Sequence, residues 1–186
     1  MRLKVLVTLL VLSELLLLEG VSSSREVSPP ASTASLEKRV ESSSWTEGCT
    51  TVPPREFSSL LGEASTEYKI DPLVLAATVH RESGCDKWAL GSSGEIGLAQ
   101  IHPGVWVQTL KKEGLLERSQ ELWDPETNLR AAAYILGRIQ KRTPLSEGLT
   151  GVFRRYNGNG SKARKYALEQ TLYHQRLVSL QGREES

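Results

Sequence analysis

The sequence predicts a mostly α-helical fold, a single domain of several packed helices with little or no sheet. Two pairs, Asp71-Pro72 and Asp124-Pro125, are helix start signals, because Asp caps a helix and Pro fits its first turn. Apolar residues recur at helical spacing around these signals, and no alternating strand pattern runs longer than about four residues. We therefore expect helices to build the core.

Start signals, stop signals and apolar spacing divide the folded part of the chain into six predicted helices. The last one has candidate core positions at Ala163, Tyr166, Ala167, Leu172, Tyr173 and Leu177, and the stretch Ala131–Leu136 is also predicted to be core. In order, the helices are one within 53–69, one from Pro72 to Glu82, one from Pro103 to Gly114, one from Asp124 through "ETNLRAAAYILGRIQKR", a short one around Leu149–Phe153, and one over 161–180.

The N-terminal part of the chain predicts export. A basic start with Arg2 and Lys4, an apolar run and small residues make residues 1–23 a secretory signal peptide, with an uncleaved membrane anchor as the alternative. Residues 24–48 are Ser- and Pro-rich, as in a linker or pro-segment. The catalytic domain is predicted at 49–181 and a tail at 182–186. After leader cleavage we expect no stable membrane span.

The two cysteines, Cys49 and Cys85, are most simply read as one disulfide in an exported protein. The bridge would join the start of the domain to the segment after Glu82. On the chain-entropy estimate, closing this loop is worth about 4 kcal/mol. Two free thiols are the alternative. The cysteines and the three histidines do not cluster in sequence, so no metal site is expected.

Composition is that of a globular protein, with 39% hydrophobic and 24% charged residues and a formal net charge of +1. The charge is unevenly distributed. Between Arg130 and Arg176 there are ten Lys or Arg and only two acids, Glu147 and Glu169, an excess of eight positive charges. This basic third either steers the protein toward an anionic polymer or forms solvated helix faces.

Glu82 lies where a carboxylate is poorly solvated. Leu75, Val79 and Glu82 are spaced i, i+4, i+7, so they share the inward face of the second helix. Burial raises the pKa of a carboxyl group, and a protonated Glu can give a proton to a leaving oxygen and later take one back. A structural Glu paired with a neighbouring Lys or Arg is the alternative.

The stretch after Glu82, "ALGSSGEIGLAQIHP", has three glycines in seven residues, which permit tight turns and close approach of the backbone to a ligand. Gln100 follows as a side chain that can both donate and accept hydrogen bonds. Further along, "YNGNG" sets Tyr156 and Asn157 before another glycine pair.

These segments together resemble a known family. In order, "HRESG", "GEIGLAQIHP", "DPETNLRAAAYIL" and "RRYNGNG" resemble the lytic transglycosylases with a soluble-type, lysozyme-like catalytic domain. The nearest similarity is to small stand-alone members that are associated with secretion and conjugation machineries and cut peptidoglycan locally. The resemblance covers roughly residues 57–177.

The resemblance implies that Glu82 is the sole general acid/base. It would protonate the glycosidic oxygen between N-acetylmuramic acid and N-acetylglucosamine, then deprotonate the muramic 6-hydroxyl, which closes a 1,6-anhydro ring. Gln100 and Tyr156 resemble residues that line the sugar groove and orient the acid, Asn157 stabilises its loop, and Ser83 fixes the helix end. The family scheme implies no cofactor. The resemblance also implies that Asp124 caps a helix and that Asn128 makes structural hydrogen bonds.

Two departures from the family pattern matter. Many members carry a substrate-contacting Ser nine residues after the acid, but here Gly91 stands there, with Ser92 adjacent, which shifts or removes that contact. Glu95 stands before the "GLAQ" run, where the family usually has a small residue. It is either a surface charge or a second carboxylate that activates water. For Trp88 and Trp106 the sequence favours core or disulfide-covering roles over stacking on a sugar.

Three functions stay open at the sequence level. The leading prediction is an exported, periplasmic or extracellular, lytic transglycosylase acting on peptidoglycan, with a secretion or conjugation machinery as a partner. The second is a muramidase or chitinase-like hydrolase that uses Glu95 or Asp86 as its second carboxylate. The third is a non-catalytic glycan-binding module. No nucleic-acid partner is expected, because anionic wall polymers account more simply for the basic third.

Overall fold

The computed structural model describes residues 49–158 and 160–184, and the backbone alone for 181–184. The predicted signal peptide, 1–23, and the linker, 24–48, lie outside these residues and stay predictions, as do the domain and tail boundaries. Within the described ranges, no helix is both long and apolar enough to cross a membrane, and no three His, Cys, Asp or Glu side chains are grouped as metal ligands would be.

The described part of the chain is mostly helical, which confirms the predicted fold class. Two short 3₁₀ turns, Ser119–Trp123 and Leu145–Glu147, lie between the longer helices, and only isolated bridges near residues 90–101 have β character. The six α-helices are α1 (Pro54–Tyr68), α2 (Pro72–Ser83), α3 (Pro103–Lys112), α4 (Pro125–Gln140), α5 (Gly148–Asn157) and α6 (Ser161–Glu184).

Both predicted Asp-Pro start signals form caps. The Asp71 carboxylate accepts the Leu73 amide at 2.8 Å at the start of α2. At the start of α4, Asp124 accepts the amide and the hydroxyl of Thr127 at 2.8 and 2.9 Å. Each carboxylate satisfies an amide that the first helical turn leaves unpaired, so these two helices begin where the sequence places them.

The core is built around α4 and α6. Helix α4 packs on α1, α2 and α5, while α6 packs on α2 and α5. Burial follows the predicted spacing, with an exception on α6. The largest fully buried side chains are Phe57, Leu61, Leu75, Leu98, Ile101, Leu110, Leu122, Leu129, Ile135, Leu136, Phe153 and Leu177.

On α6, one predicted core residue is wrong. Leu172 on α6 is 56% exposed, as is its neighbour one turn earlier, Leu168, at 57%. Helix α6 is 24 residues long, and α2 and α5 cover only its other side, where Ala163, Ala167 and Leu177 are buried. Periodicity alone did not separate the covered stripe from the outward stripe, because both contain leucine.

The predicted disulfide is confirmed between Cys49 and Cys85, with Cα atoms 4.7 Å apart. A side chain reinforces the connection. The Thr51 hydroxyl donates to the carbonyl of Cys85 at 2.8 Å and accepts the amide of Lys87 at 2.9 Å. The first described residues are therefore fastened to the segment that follows α2, next to Glu82.

Candidate active site

Glu82 lies in the last turn of α2, which ends when Gly84 takes a left-handed conformation, φ 62°, and its amide donates to the carbonyl of His80 at 3.0 Å. Leu75 and Val79 on the same face are fully buried, as the spacing predicts. Glu82 itself is partly buried, because the helix stops beside it. The carboxylate thus lies at the boundary between the core and solvent.

The hydroxyl of Tyr166 on α6 donates to Oε1 of Glu82 at 2.6 Å. This contact fixes the carboxyl group across the packing of α2 and α6. The sequence predicted Tyr166 only as a core position, so its role at the site was missed. A signal was present, since a buried tyrosine hydroxyl needs a hydrogen-bond partner, and Glu82 is the inward-facing acid.

Burial raises the pKa of Glu82, because the ionised carboxylate loses solvation. The hydrogen bond from Tyr166 and the positive charge of Arg81 act in the opposite direction, and the negative charge of Glu95 raises the pKa further. Burial also raises the pKa of Tyr166, so its hydroxyl keeps its proton and remains a donor. The net result is a carboxyl group that favours the protonated form more than an exposed Glu does.

Arg81, next to Glu82, is held away from the carboxyl by other partners. Its guanidinium pairs with Glu169 on α6 at 2.7 Å and lies 5.7 Å from the ring centroid of Tyr166. It therefore supports the tyrosine that holds Glu82 and contributes charge at a distance. The alternative of a structural Glu82 paired with its neighbour does not describe this arrangement, because Arg81 pairs with Glu169.

A compact loop, 84–101, connects Glu82 to α3. It is closed by backbone hydrogen bonds from Gly91 to Glu95 at 2.8 Å and from Gly97 to Ala89 at 2.9 Å, and by reciprocal bonds between Ile96 and Ile101. Gln100 adopts a positive φ of 48°. Its Nε2 donates to the carbonyls of Ala89 and Gly97, each at 3.0 Å, so its amide braces the loop.

Asn128 on α4 clamps this loop from beneath. Its Oδ1 accepts the amide of Ala99 at 2.9 Å, and its Nδ2 donates to the carbonyls of Ile96 at 2.9 Å and Leu122 at 2.7 Å. Gly97 is required here, because a Cβ at that position would lie 2.5 Å from Nδ2 of Asn128 and 2.8 Å from the Leu122 carbonyl. The predicted structural role of Asn128 is confirmed.

Tyr156 on α5 lies near Glu82, whose negative charge adds to burial in raising the pKa of the tyrosine. Its hydroxyl donates to the carbonyl of Ala99 at 2.9 Å. Gln100 and Tyr156, which were predicted to orient Glu82, therefore form their hydrogen bonds with the loop 84–101. The direct bond to the carboxyl comes from Tyr166. Ser92 and Asn157 are exposed.

The side chain of Glu95 fills the space next to Gly91, which leaves little room for a larger residue there. A Cβ built on Gly91 would collide with Oε2 of Glu95 and lie 2.7 Å from Oε1 of Gln100. The carboxylate of Glu95 accepts the amide of Ser93 at 2.9 Å. Backbone hydrogen bonds and the charge of His102 lower the pKa of Glu95. Glu95 therefore favours its ionised form, whereas Glu82 favours its protonated form.

Asp86, the other candidate second carboxylate, has a local role. Its Oδ1 accepts the backbone amide of Trp88 at 2.9 Å, which stabilises the turn after the disulfide. Trp88 is 61% exposed, so of its two predicted roles, core or disulfide-covering, the core role is wrong. Trp106 is partly buried and packs against the core.

Comparisons with known proteins identify a family and a fold. The family model described as Transglycosylase SLT domain matches residues 59–173. The membrane-bound lytic murein transglycosylase E of Buchnera aphidicola subsp. Acyrthosiphon pisum is 29% identical over 91 residues, which are 47% of this chain and 41% of that relative. This chain thus spans less than half of the relative's length.

A solved structure, an inactive glutamate-to-glutamine mutant of the lytic transglycosylase Slt from Pseudomonas aeruginosa, matches with a TM-score of 0.59. The match covers 67% of this chain and 24% of that chain, at 17% sequence identity. At this identity the match establishes the fold, and it confirms the helical architecture predicted from the sequence.

Proposed function

Because the chain belongs to the transglycosylase SLT domain family, we propose that it is a lytic transglycosylase that cleaves the glycan strands of peptidoglycan, with Glu82 as its only general acid/base. The observation that carries the proposal is the bond from Tyr166 to a partly buried Glu82 at the end of α2. The relatives' names, lytic murein transglycosylase E and lytic transglycosylase Slt, support the same reaction.

The first step is protonation of the leaving group. Glu82, whose protonated form is favoured because burial raises its pKa, donates its proton to the glycosidic oxygen between N-acetylmuramic acid and N-acetylglucosamine. The bond from the muramic anomeric carbon to that oxygen then breaks, and the carbon gains positive character. The ionised carboxylate left behind is stabilised by the Tyr166 hydroxyl and by the charge of Arg81.

The second step returns the proton. The Glu82 carboxylate removes the proton of the muramic 6-hydroxyl, and that oxygen bonds to the anomeric carbon to give a 1,6-anhydro ring. No water is consumed, and Glu82 ends protonated as it began. One protein carboxylate suffices, because the substrate supplies the nucleophile. This distinguishes the scheme from the usual two-carboxylate glycosidase.

Around this chemistry we assign the other site residues as follows. Gln100 and Tyr156 brace the loop that lines one side of the glycan site, and Ser92 and Asn157 contact the strand from their exposed positions. The reaction requires no cofactor.

A second candidate function, hydrolysis, is favoured by one observation. Glu95 is ionised and its charge acts on Glu82, so the site contains one carboxyl group that favours its proton and one that does not. Such pairs divide acid and base roles in hydrolases. Glu95 would then activate a water molecule for attack on the anomeric carbon, and the product would carry a reducing end.

We further propose that the protein acts outside the cytoplasm, in the periplasm or the extracellular space, where peptidoglycan lies. The disulfide between Cys49 and Cys85 supports this, because disulfides persist in oxidising compartments. The signal-peptide prediction for residues 1–23 agrees with it. A secretion or conjugation machinery that needs a local opening in the wall is the proposed partner.

The test is mass spectrometry of the products formed when the full chain is incubated with purified peptidoglycan. Muropeptides lighter than the reducing products by one water molecule carry 1,6-anhydro ends and support the transglycosylase. Reducing ends support hydrolysis, and Glu95→Gln should then abolish it. The absence of any product from peptidoglycan, together with retained strand binding, would reject both and leave a glycan-binding module.

The matched variants are Glu82→Gln and Glu113→Gln. The first removes the proton donor while keeping the shape of the side chain, and it should lower the rate by about 10²–10⁴-fold. The second changes an exposed glutamate beyond the end of α3 and should leave the rate unchanged. Comparable rates for Glu82→Gln and wild type would refute the assignment of Glu82.

A further inference from the structure

An exposed aromatic surface lies on the loop that follows Glu82. The indole of Trp88 is 61% exposed, and its ring centroid is 6.3 Å from that of Trp123, with a 34° tilt between the planes. Leu90, close by in the chain, is 66% exposed. A contiguous exposed apolar patch on a protein surface often marks a binding site. We call Trp88 and Trp123 the tryptophan pair.

The backbone on either side of Trp88 is held in place. The residue three positions earlier, Cys85, is in the disulfide, and the amide of Lys87 donates to the hydroxyl of Thr51 at 2.9 Å. The amide of Trp88 itself donates to Asp86 at 2.9 Å. A rigidly positioned, exposed aromatic ring loses little conformational freedom when a ligand binds to it, so it is pre-organised for binding.

Trp123 is anchored by its two neighbours. Leu122 is fully buried and its carbonyl accepts Nδ2 of Asn128 at 2.7 Å, while Asp124 caps α4. The ring of Trp123 is partly buried against the core. This leaves Trp88 as the outer member of the pair and Trp123 as its support.

The tryptophan pair is connected to the candidate active site by hydrogen bonds. The carbonyl of Ala89, directly after Trp88, accepts Nε2 of Gln100, and Asn128 joins the loop near Gln100 to the carbonyl before Trp123. The hydrogen bonds that shape the loop next to Glu82 therefore also fix both tryptophans. We expect a polymer that is bound at Glu82 and extends over this loop to reach the pair.

The chemistry of the surface fits a sugar ring. A pyranose has an apolar face of C–H groups and polar edges, so it can cover an indole face while its hydroxyls remain hydrated. The ammonium of Lys87, 5.0 Å from the ring centroid of Trp88, adds a donor for a hydroxyl or an acetamido oxygen. We propose that the tryptophan pair forms an outer subsite that stacks on an N-acetylhexosamine ring of a β-1,4-linked glycan strand. This inference rests on the proposed function for its choice of polymer.

The test measures binding without cleavage. In full chains carrying Glu82→Gln, isothermal titration calorimetry with β-1,4-linked N-acetylglucosamine oligosaccharides of increasing length gives the affinity at each length. Adding Trp88→Ala should weaken binding of the longest oligosaccharides by about tenfold, the loss expected for one aromatic stacking contact. The shortest oligosaccharides, which do not reach the subsite, should bind equally well.

Two further variants make the result specific. Trp88→Tyr keeps an aromatic face and should restore most of the affinity. Leu145→Ala removes a 99% exposed apolar side chain before α5 and should change nothing. Thermal unfolding of each variant checks that folding is intact, which the exposure of Trp88 leads us to expect.

Equal affinities of the parent and Trp88→Ala at every length would overturn the subsite. So would a failure of the parent to bind any oligosaccharide while the wild-type chain cleaves peptidoglycan. If binding depends on Trp88 but wild type releases no product from peptidoglycan, the proposed enzyme activity fails and the subsite stands.

Discussion

Replacing Asn128 by Ala should destabilise the domain by loosening the loop at the candidate active site. The side chain is 1% exposed and makes three hydrogen bonds of 2.7–2.9 Å, to the amide of Ala99 and to the carbonyls of Ile96 and Leu122. All three partners belong to the loop 84–101 or to the turn before α4. No other described side chain makes a hydrogen bond to these three groups.

Three bonds are lost, and the Ala99 amide and the Leu122 carbonyl lose their partner, while the Ile96 carbonyl still accepts the Ile101 amide. Each buried hydrogen bond contributes about 1 kcal/mol net, and a buried donor or acceptor that loses its partner costs about 1–3 kcal/mol. Three lost bonds therefore lower the free energy of unfolding by about 3 kcal/mol, and toward about 5 kcal/mol if water cannot enter. For a domain of this size that corresponds to a fall in Tm of about 10 °C.

Urea unfolding followed by circular dichroism measures this change, with Gln108→Ala as the control. Gln108 is an exposed amide on α3, and its replacement should stay within about 0.5 kcal/mol of wild type. Asn128→Asp should be at least as destabilising as Asn128→Ala, because a carboxylate accepts the Ala99 amide but cannot donate to two carbonyls. A loss below about 1 kcal/mol for Asn128→Ala would refute the clamp.

Two further predictions concern the disulfide and the pH dependence of the reaction. Replacing both Cys49 and Cys85 by Ser should lower the free energy of unfolding by about 4 kcal/mol, measured by urea titration, and a change below about 1 kcal/mol would contradict the loop-closure argument. If protonated Glu82 is the acid, activity falls as pH rises through its pKa. Tyr166→Phe removes a hydrogen bond that lowers the pKa of Glu82, so the alkaline limb of the pH–rate profile should move to higher pH. Glu95→Gln removes a negative charge that raises the pKa of Glu82, so this limb should move to lower pH. Limbs that do not move apart in pH–rate profiles would contradict the electrostatics of the site.

The helices were predictable because their signals are local. Asp71 and Asp124 cap the helices that their sequence positions indicate, since a cap involves residues only two or three positions apart. The inward direction of Glu82 followed from its spacing to Leu75 and Val79 for the same reason. The disulfide was predictable because a chain with a predicted signal peptide and two cysteines offers one pairing.

Contacts between segments that are distant in sequence could not be predicted. The bond from Tyr166 to Glu82 joins residues 84 positions apart, and periodicity identifies Tyr166 as inward-facing without naming what it meets. The exposure of Leu172 and Trp88 was missed for a related reason. An apolar residue is buried only if another element covers it, and coverage depends on how α2 and α5 lie on α6 and on the path of the loop after the disulfide.

The placement of Glu82 at a helix end against a tyrosine fits the double task that the proposed reaction gives it. Burial alone would make a good proton donor, but it would leave the ionised form too unstable to act as a base in the next step. Tyr166 and Arg81 act against burial by stabilising the ionised form. A single carboxyl that must hold a proton, release it and recover one within each turnover needs both influences together. A hydrolase with a second carboxylate can separate them between two residues, and this is why the identity of the products and the effect of Glu95→Gln bear on the same question.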